Sequence, residues 1–114
     1  MKVKKSKLHL RPNPTLGDLQ QYMRDMAAER GFTNQTPLQT YLLLSEELGE
    51  LAKCIRKSHG NMAIDSGKTY NLDAASEIAD IIIVLTSLAN QLGIDMEQAF
   101  RAKEEHNKQR VWGS

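Results

Sequence analysis

The sequence is short of the usual fastenings. With a single cysteine, Cys54, the chain cannot form an internal disulfide, and this fits a reducing compartment. Cys54 falls on the apolar side of a helical pattern, where a thiol is a small core residue rather than a nucleophile. The longest apolar run, Ile81 to Leu85, is far too short to cross a bilayer. The basic start leads into polar residues and prolines, without the apolar stretch of a secretory signal. A soluble, cytoplasmic protein with no membrane partner is expected. There is no glycine-rich phosphate loop, no zinc spacing of Cys and His, and no credible serine or cysteine triad.

What is present suits one globular domain. The 114 residues are 40% hydrophobic and 25% charged, enough for one core and too apolar for wholesale disorder. The net charge of +1 conceals an asymmetry. Lys2, Lys4, Lys5, Lys7 and Arg11 place five of the 15 cations ahead of residue 15, and from Thr15 onward ten cations face all 14 acids, a balance of −4. Residues 1–14 read as a basic, extended or disordered lead ending in Pro12-Asn13-Pro14, which resists helix. The lead has no aromatic residue for stacking and no companion motif, so nucleic acid is not an expected partner.

Four helices follow, each with a readable start. Thr15 with Asp18 forms a capping-box pattern, Leu16, Leu19, Met23, Met26 and Ala27 supply the apolar stripe, and Gly31 is the stop. Phe32 is expected to fold back on the core. Thr36, Pro37 and Gln39 open the second helix, which runs to about Lys57, with His59 at its end in a capping role. Residues 60–71 are a long loop rich in turn formers. The third helix runs from Asn71 or Asp73 to about Leu92, with Gly93 beyond it. Asp95 caps the fourth, with Gln98 at its third position. The third helix is apolar nearly all round, since Ile82, Ile83, Ala79 and Ala89 lie away from its main stripe. Such a helix is buried on more than one side, which points to a subunit interface. The expected fold is all-α, a four-helix bundle that completes its core by oligomerisation.

Two acidic runs interrupt the apolar pattern. At about 100° per residue, Leu43, Leu44, Leu48, Leu51, Cys54 and Ile55 gather around Glu47, with Glu50 at the border and Glu46 further round. On the third helix Ile78, Ile81, Val84, Leu85, Leu88 and Leu92 gather around Glu77, with Asp80 at the corresponding border. Four carboxylates on facing helices repel one another and resist desolvation. A divalent cation removes both difficulties, and hard cations such as Mg²⁺ prefer oxygen ligands. On the fourth helix Lys103, Asn107 and Arg110 continue the stripe begun by Met96, Ala99 and Phe100. Long side chains there either snorkel to water or converge on an anion, Lys as a point charge and Arg as a fork for phosphate. Beside a carboxylate metal site, phosphate is the better fit.

Glu46-Glu47-Leu48-Gly49-Glu50, followed after 26 residues by Glu77-Ile78-Ala79-Asp80, resembles the EExxE…ExxD signature of MazG-like nucleotide pyrophosphohydrolases, members of the all-α NTP pyrophosphatase superfamily. The stretch Lys103, Asn107, Arg110, Trp112 resembles the basic ending of many short members. The resemblance spans residues 15–112, which it marks as a single MazG-like domain. It implies a four-helix fold forming homodimers or homotetramers, and Mg²⁺-dependent hydrolysis of nucleoside triphosphates to the monophosphate and pyrophosphate, with Mn²⁺ as a substitute ion. By position, Glu47, Glu50, Glu77 and Asp80 would bind metal, while Lys103, Asn107 and Arg110 would hold the triphosphate. Glu46 would bind a further metal or orient the attacking water. Phosphoribosyl-ATP pyrophosphohydrolase, of histidine biosynthesis, shares the acidic pattern and is the nearest alternative. A non-catalytic, metal-binding helical interaction module is the other. A di-iron carboxylate bundle needs Glu-x-x-His on two helices, and neither acidic pair here has the histidine.

Overall fold

The computed structural model describes residues 5–59 and 73–113. They form four helices, α1 (Leu16–Arg30), α2 (Pro37–Ser58), α3 (Ala74–Gln91) and α4 (Met96–Lys108), with no strand among the described residues. The expected loop at 60–71 lies outside them.

Each helix starts where a side chain can satisfy its free N–H groups. The Thr15 hydroxyl accepts from the Asp18 N–H at 3.0 Å, and the Asp18 carboxylate accepts from the Thr15 N–H at 2.9 Å. Thr36 and Gln39 repeat this reciprocal box on α2. Asp73 and Asp95 accept from Ser76 and Gln98 N–H groups to open α3 and α4. Gly31 stops α1 at φ 78° and Gly93 follows α3 at φ 68°, both in the left-handed region that costs other residues about 1 kcal/mol. His59 caps α2 through its backbone, donating to the Ile55 carbonyl.

The α2 and α3 helices pack along each other, α1 lies on α3, and α4 packs chiefly on α1. Met23, Met26, Cys54 and Ala89 are buried, with Thr40 and Thr86 fully enclosed beside them. A polar junction ties three helices together. Buried Gln20 donates through Nε2 to Asn90 Oδ1 at 2.9 Å and to the Ile94 carbonyl at 2.8 Å, and its Oε1 accepts from the Met96 N–H. Asn90 donates back to the Gln20 carbonyl, and Arg24 donates to Asn90 Oδ1. The start of α4 is thereby fixed to α1 and to the end of α3. Ahead of α1, residues 5–14 form an irregular arm beside it, with the Lys7 N–H bonded to Glu29 and Arg11 paired to Asp18 at 3.5 Å.

Much of the apolar surface is not enclosed within one chain. On α3, Ile81, Val84 and Leu88 are half-buried, whereas Ile78, Ile82, Ile83 and Leu85 are between 42% and 48% exposed. Leu42, Leu48 and Ile55 of α2 are comparably open. Phe32 departs from its expected place. Its N–H closes the end of α1 on the Ala27 carbonyl, and that turn leaves the ring 53% exposed. The apolar start of the α4 stripe is also outside the core, with Phe100 at 67%. Among the described residues no single helix is long and apolar enough to cross a membrane.

Candidate active site

The packing of α2 on α3 brings Glu47, Glu77 and Asp80 together, each offering a carboxylate oxygen within 4.8 Å of the others. Glu77 and Asp80 are one turn apart on the same face of α3, and Glu47 meets them from α2. Glu47 and Glu77 are half-buried. Loss of water pushes the Glu47 carboxyl above the usual carboxylate range, reinforced by the charge of Asp80, by a hydrogen bond with Glu77, and by the charges of Glu77 and Glu50. At this spacing each ionised pair repels by on the order of 3 kcal/mol for an effective dielectric near 20. Three clustered oxygen donors fit a hard divalent ion, Mg²⁺ or the similar Mn²⁺.

The remaining acids are not in this cluster. Glu50 is exposed, 3.9 Å from Lys53 on its own helix, and reaches Glu47 only through its charge. Glu46 is exposed on another side of α2, beside a hollow bordered by Phe32, Asn34, Gln35 and Leu43. Adjoining it, a hollow of about 290 Å³ opens between α1, α2 and α3, lined by Met26, Phe32, Gln35, Leu43, Val84 and Ser87 among others. Leu43 precedes Glu47 by one turn and Val84 follows Asp80 by one turn. The hollow therefore lies roughly 6 Å along the helix axes from the carboxylates.

The basic residues stand apart from both. Lys103, Asn107 and Arg110 lie on α4 and its end, and α4 packs chiefly on α1. None of the three forms a hydrogen bond or ion pair with the acidic cluster. Lys103 and Arg110 are exposed, while Asn107 is half-buried with its Oδ1 enclosed and unpartnered. One chain thus gathers three of the four expected metal ligands and leaves the expected phosphate ligands elsewhere.

Gln20 was not singled out by sequence reasoning, although it controls where α4 begins. The signal was available: Leu16, Gln20, Met23 and Ala27 are spaced as one helical stripe, and an amide in an apolar stripe needs buried partners. The hollow beside Phe32 had no comparable signal, because it is formed by three segments distant in sequence.

Residues 35–111 match the sequence model of the MazG nucleotide pyrophosphohydrolase domain. Mouse dCTP pyrophosphatase 1 is 32% identical over 102 residues, which are 87% of this chain and 60% of the mouse protein. The chain thus spans about three-fifths of that relative's length. The crystal structure of YPJD from Bacillus subtilis, a candidate pyrophosphatase, superposes with a TM-score of 0.73 at 28% identity, covering 89% of this chain and all of YPJD. A cyanophage S-2L MazG-like pyrophosphohydrolase, bound to dGDP and three catalytic Mn²⁺ ions per active site, superposes with a TM-score of 0.64 at 29% identity over 89% of this chain and 85% of its own. With an all-α fold, an acidic cluster at the paired motif and a matching family model over most of its length, the chain belongs to the MazG nucleotide pyrophosphohydrolase domain family.

Proposed function

We propose that the chain hydrolyses nucleoside triphosphates between the α- and β-phosphates, releasing the nucleoside monophosphate and pyrophosphate. The observation that carries this reading is the meeting of Glu47, Glu77 and Asp80 within 4.8 Å on facing helices. Glu47, Glu77 and Asp80 would hold Mg²⁺, with Glu50 joining them by a rotamer change from its place beside Lys53. When bound, the cation supplies charge neutralisation on the phosphate oxygens and a more acidic water.

The chain's own residues do the rest. Water attacks the α-phosphorus, the bond to the bridging oxygen breaks, and the electron pair leaves with pyrophosphate. Glu46, one residue from Glu47, takes the proton from the attacking water. Lys103, Asn107 and Arg110 hold the β- and γ-phosphates of the bound substrate. Because α4 stands away from the carboxylates, these three act on the cluster of a second copy. The half-exposed Ile78, Ile82, Leu85 and Leu48 on α2 and α3 give that copy an apolar face to cover. We therefore read the active form as a homodimer or homotetramer, built from one domain over residues 15–112 behind a basic lead. The buried free thiol of Cys54 suits the cytoplasm.

The hollow one turn from the carboxylates suits the nucleoside. Phe32 offers an aromatic face and Gln35 an amide to read a base edge. The test is pyrophosphate release over a panel of normal and modified nucleoside triphosphates, headed by dCTP and dGTP and including phosphoribosyl-ATP, with Mg²⁺ and with chelator. Chelator-sensitive turnover of a triphosphate is the expected result. Turnover of phosphoribosyl-ATP alone would move the chain to the histidine-pathway chemistry, and silence across the panel would leave a metal-binding helical module.

A further inference from the structure

The end of α4 holds a small device that the hydrolytic reading does not use. Beyond Lys108 the chain turns back on the helix, with the Gln109 N–H donating to the His106 carbonyl at 3.2 Å and the Arg110 N–H to the Asn107 carbonyl at 3.1 Å. The Trp112 indole Nε1–H donates to the same Asn107 carbonyl at 3.1 Å. That carbonyl belongs to the last helical turn, whose acceptors have no partner inside the helix. The hook brings the indole ring under Arg110, whose guanidinium carbon lies 4.4 Å from the ring centroid.

A guanidinium stacked on an aromatic ring uses its flat face and keeps its in-plane N–H groups free. Those of Arg110 make no hydrogen bond or ion pair with the described residues. The result is a fork held still with its prongs vacant, the form that receives two oxygens of one phosphate. One turn back, Asn107 Oδ1 is enclosed without any partner. A desolvated amide oxygen with no donor is unusual in a folded chain, and core packing does not explain an amide at this place. Trp112 itself is 65% exposed, so core packing does not account for so large a ring at this place.

We propose that Trp112 is a positioning residue, which clamps the Arg110 guanidinium through its ring and the Asn107 backbone through its N–H so that both side chains meet a phosphate group already arranged. This inference rests on the reading of α4 as the phosphate-binding face. Arginine loses much rotamer freedom when it grips a ligand, and fixing it beforehand moves that cost out of the binding step. Phosphate contacts made equally in the bound substrate and the transition state appear in KM rather than in kcat.

Three variants and one intrinsic signal test it. Trp112→Leu removes ring and N–H together and should raise KM for the nucleotide about tenfold, with kcat changed less than about twofold. Trp112→Phe keeps the ring and should recover most of that loss. In an Arg110→Ala background, Trp112→Leu should have almost no further effect, because its partner is already gone. An equal KM penalty with and without Arg110 would overturn the proposal. Trp112 is also the chain's only tryptophan, so its emission reports the stack directly. Titration with inorganic pyrophosphate should change that emission saturably in the wild type and not in Arg110→Ala. An identical change in Arg110→Ala would also overturn it. The two readings fail separately. Turnover with an additive double-variant cycle removes only the clamp, whereas an Arg110-dependent pyrophosphate signal without turnover of any nucleotide removes only the hydrolase.

Discussion

The acidic and basic halves of the candidate site are held by different means. Glu47, Glu77 and Asp80 meet because α2 lies on α3, so their cluster exists only while that tertiary contact does. Lys103, Asn107 and Arg110 belong to one helix and its tail, and Arg110 is held by a residue two positions away. The acidic half is expensive to assemble, since like charges are forced together, and it needs a cation to be comfortable. The basic half is assembled locally and is left open. On the proposed reading, a site whose repulsive part is formed by the fold and whose attractive part comes from a second copy would stay inactive until both the cation and that copy arrive.

The strongest way to break this comparison is to remove one carboxylate. Glu47→Gln should lower Mg²⁺-dependent pyrophosphate release by about 10³-fold or more, while circular dichroism stays unchanged. Retention of most of the activity would mean that the cluster is not the metal site. A second test attacks the placement of the basic half. Gln20→Ala deletes three hydrogen bonds at a buried junction and takes the side-chain partner from the Met96 N–H and the Ile94 carbonyl. Urea unfolding should show a loss of about 3 kcal/mol, with α4 the first element to lose amide-exchange protection. A smaller effect is expected at the helix starts. Thr36→Ala breaks the reciprocal box that opens α2 and should cost about 1 kcal/mol, with the acidic cluster intact.

The same contrast explains what could be read from the sequence. Three helix starts were legible outright, because a cap and its partner lie within three residues, while the third was left between Asn71 and Asp73 and falls at Asp73. The pairing of Glu47 with Glu77 and Asp80 was legible too, since each acid interrupts an apolar stripe whose other members must face a neighbouring helix. The turn of Glu50 toward Lys53 was not, because a border residue can point inward or along its own helix, and no local pattern chooses between them. The position of α4 depends on Gln20 meeting Asn90, Ile94 and Met96 across 70, 74 and 76 residues of chain, which no local pattern encodes. Phe32 misled for a related reason. Its hydrophobicity suggests burial, but the left-handed turn at Gly31 fixes its backbone to the end of α1 and aims the ring at a hollow.

The finest test separates the cluster from the rest of the fold by pH. Burial and neighbouring charge raise the Glu47 carboxyl above its ordinary value of 4.5, so the folded chain binds that proton more tightly than the unfolded chain. Stability from this group therefore falls as pH rises through the range above 4.5 and is restored on acidification. Asp18 works in the opposite sense. The Thr15 N–H, followed by the Thr15 hydroxyl and Arg11, holds its carboxyl below 3.8, so its contribution is present above that pH and is lost as pH falls through the lowered value. The two windows do not overlap. Above pH 4.5, metal-free wild-type protein should gain melting temperature on acidification relative to Glu47→Gln, whereas Asp18→Asn should follow the wild-type slope. Saturating Mg²⁺ should reverse the wild-type trend, because the cation binds only the ionised cluster and its stabilisation grows with pH. Parallel slopes for wild type and Glu47→Gln in chelator would show that the carboxylates are not close enough to share their charge. The site would then have to be sought where the basic residues are.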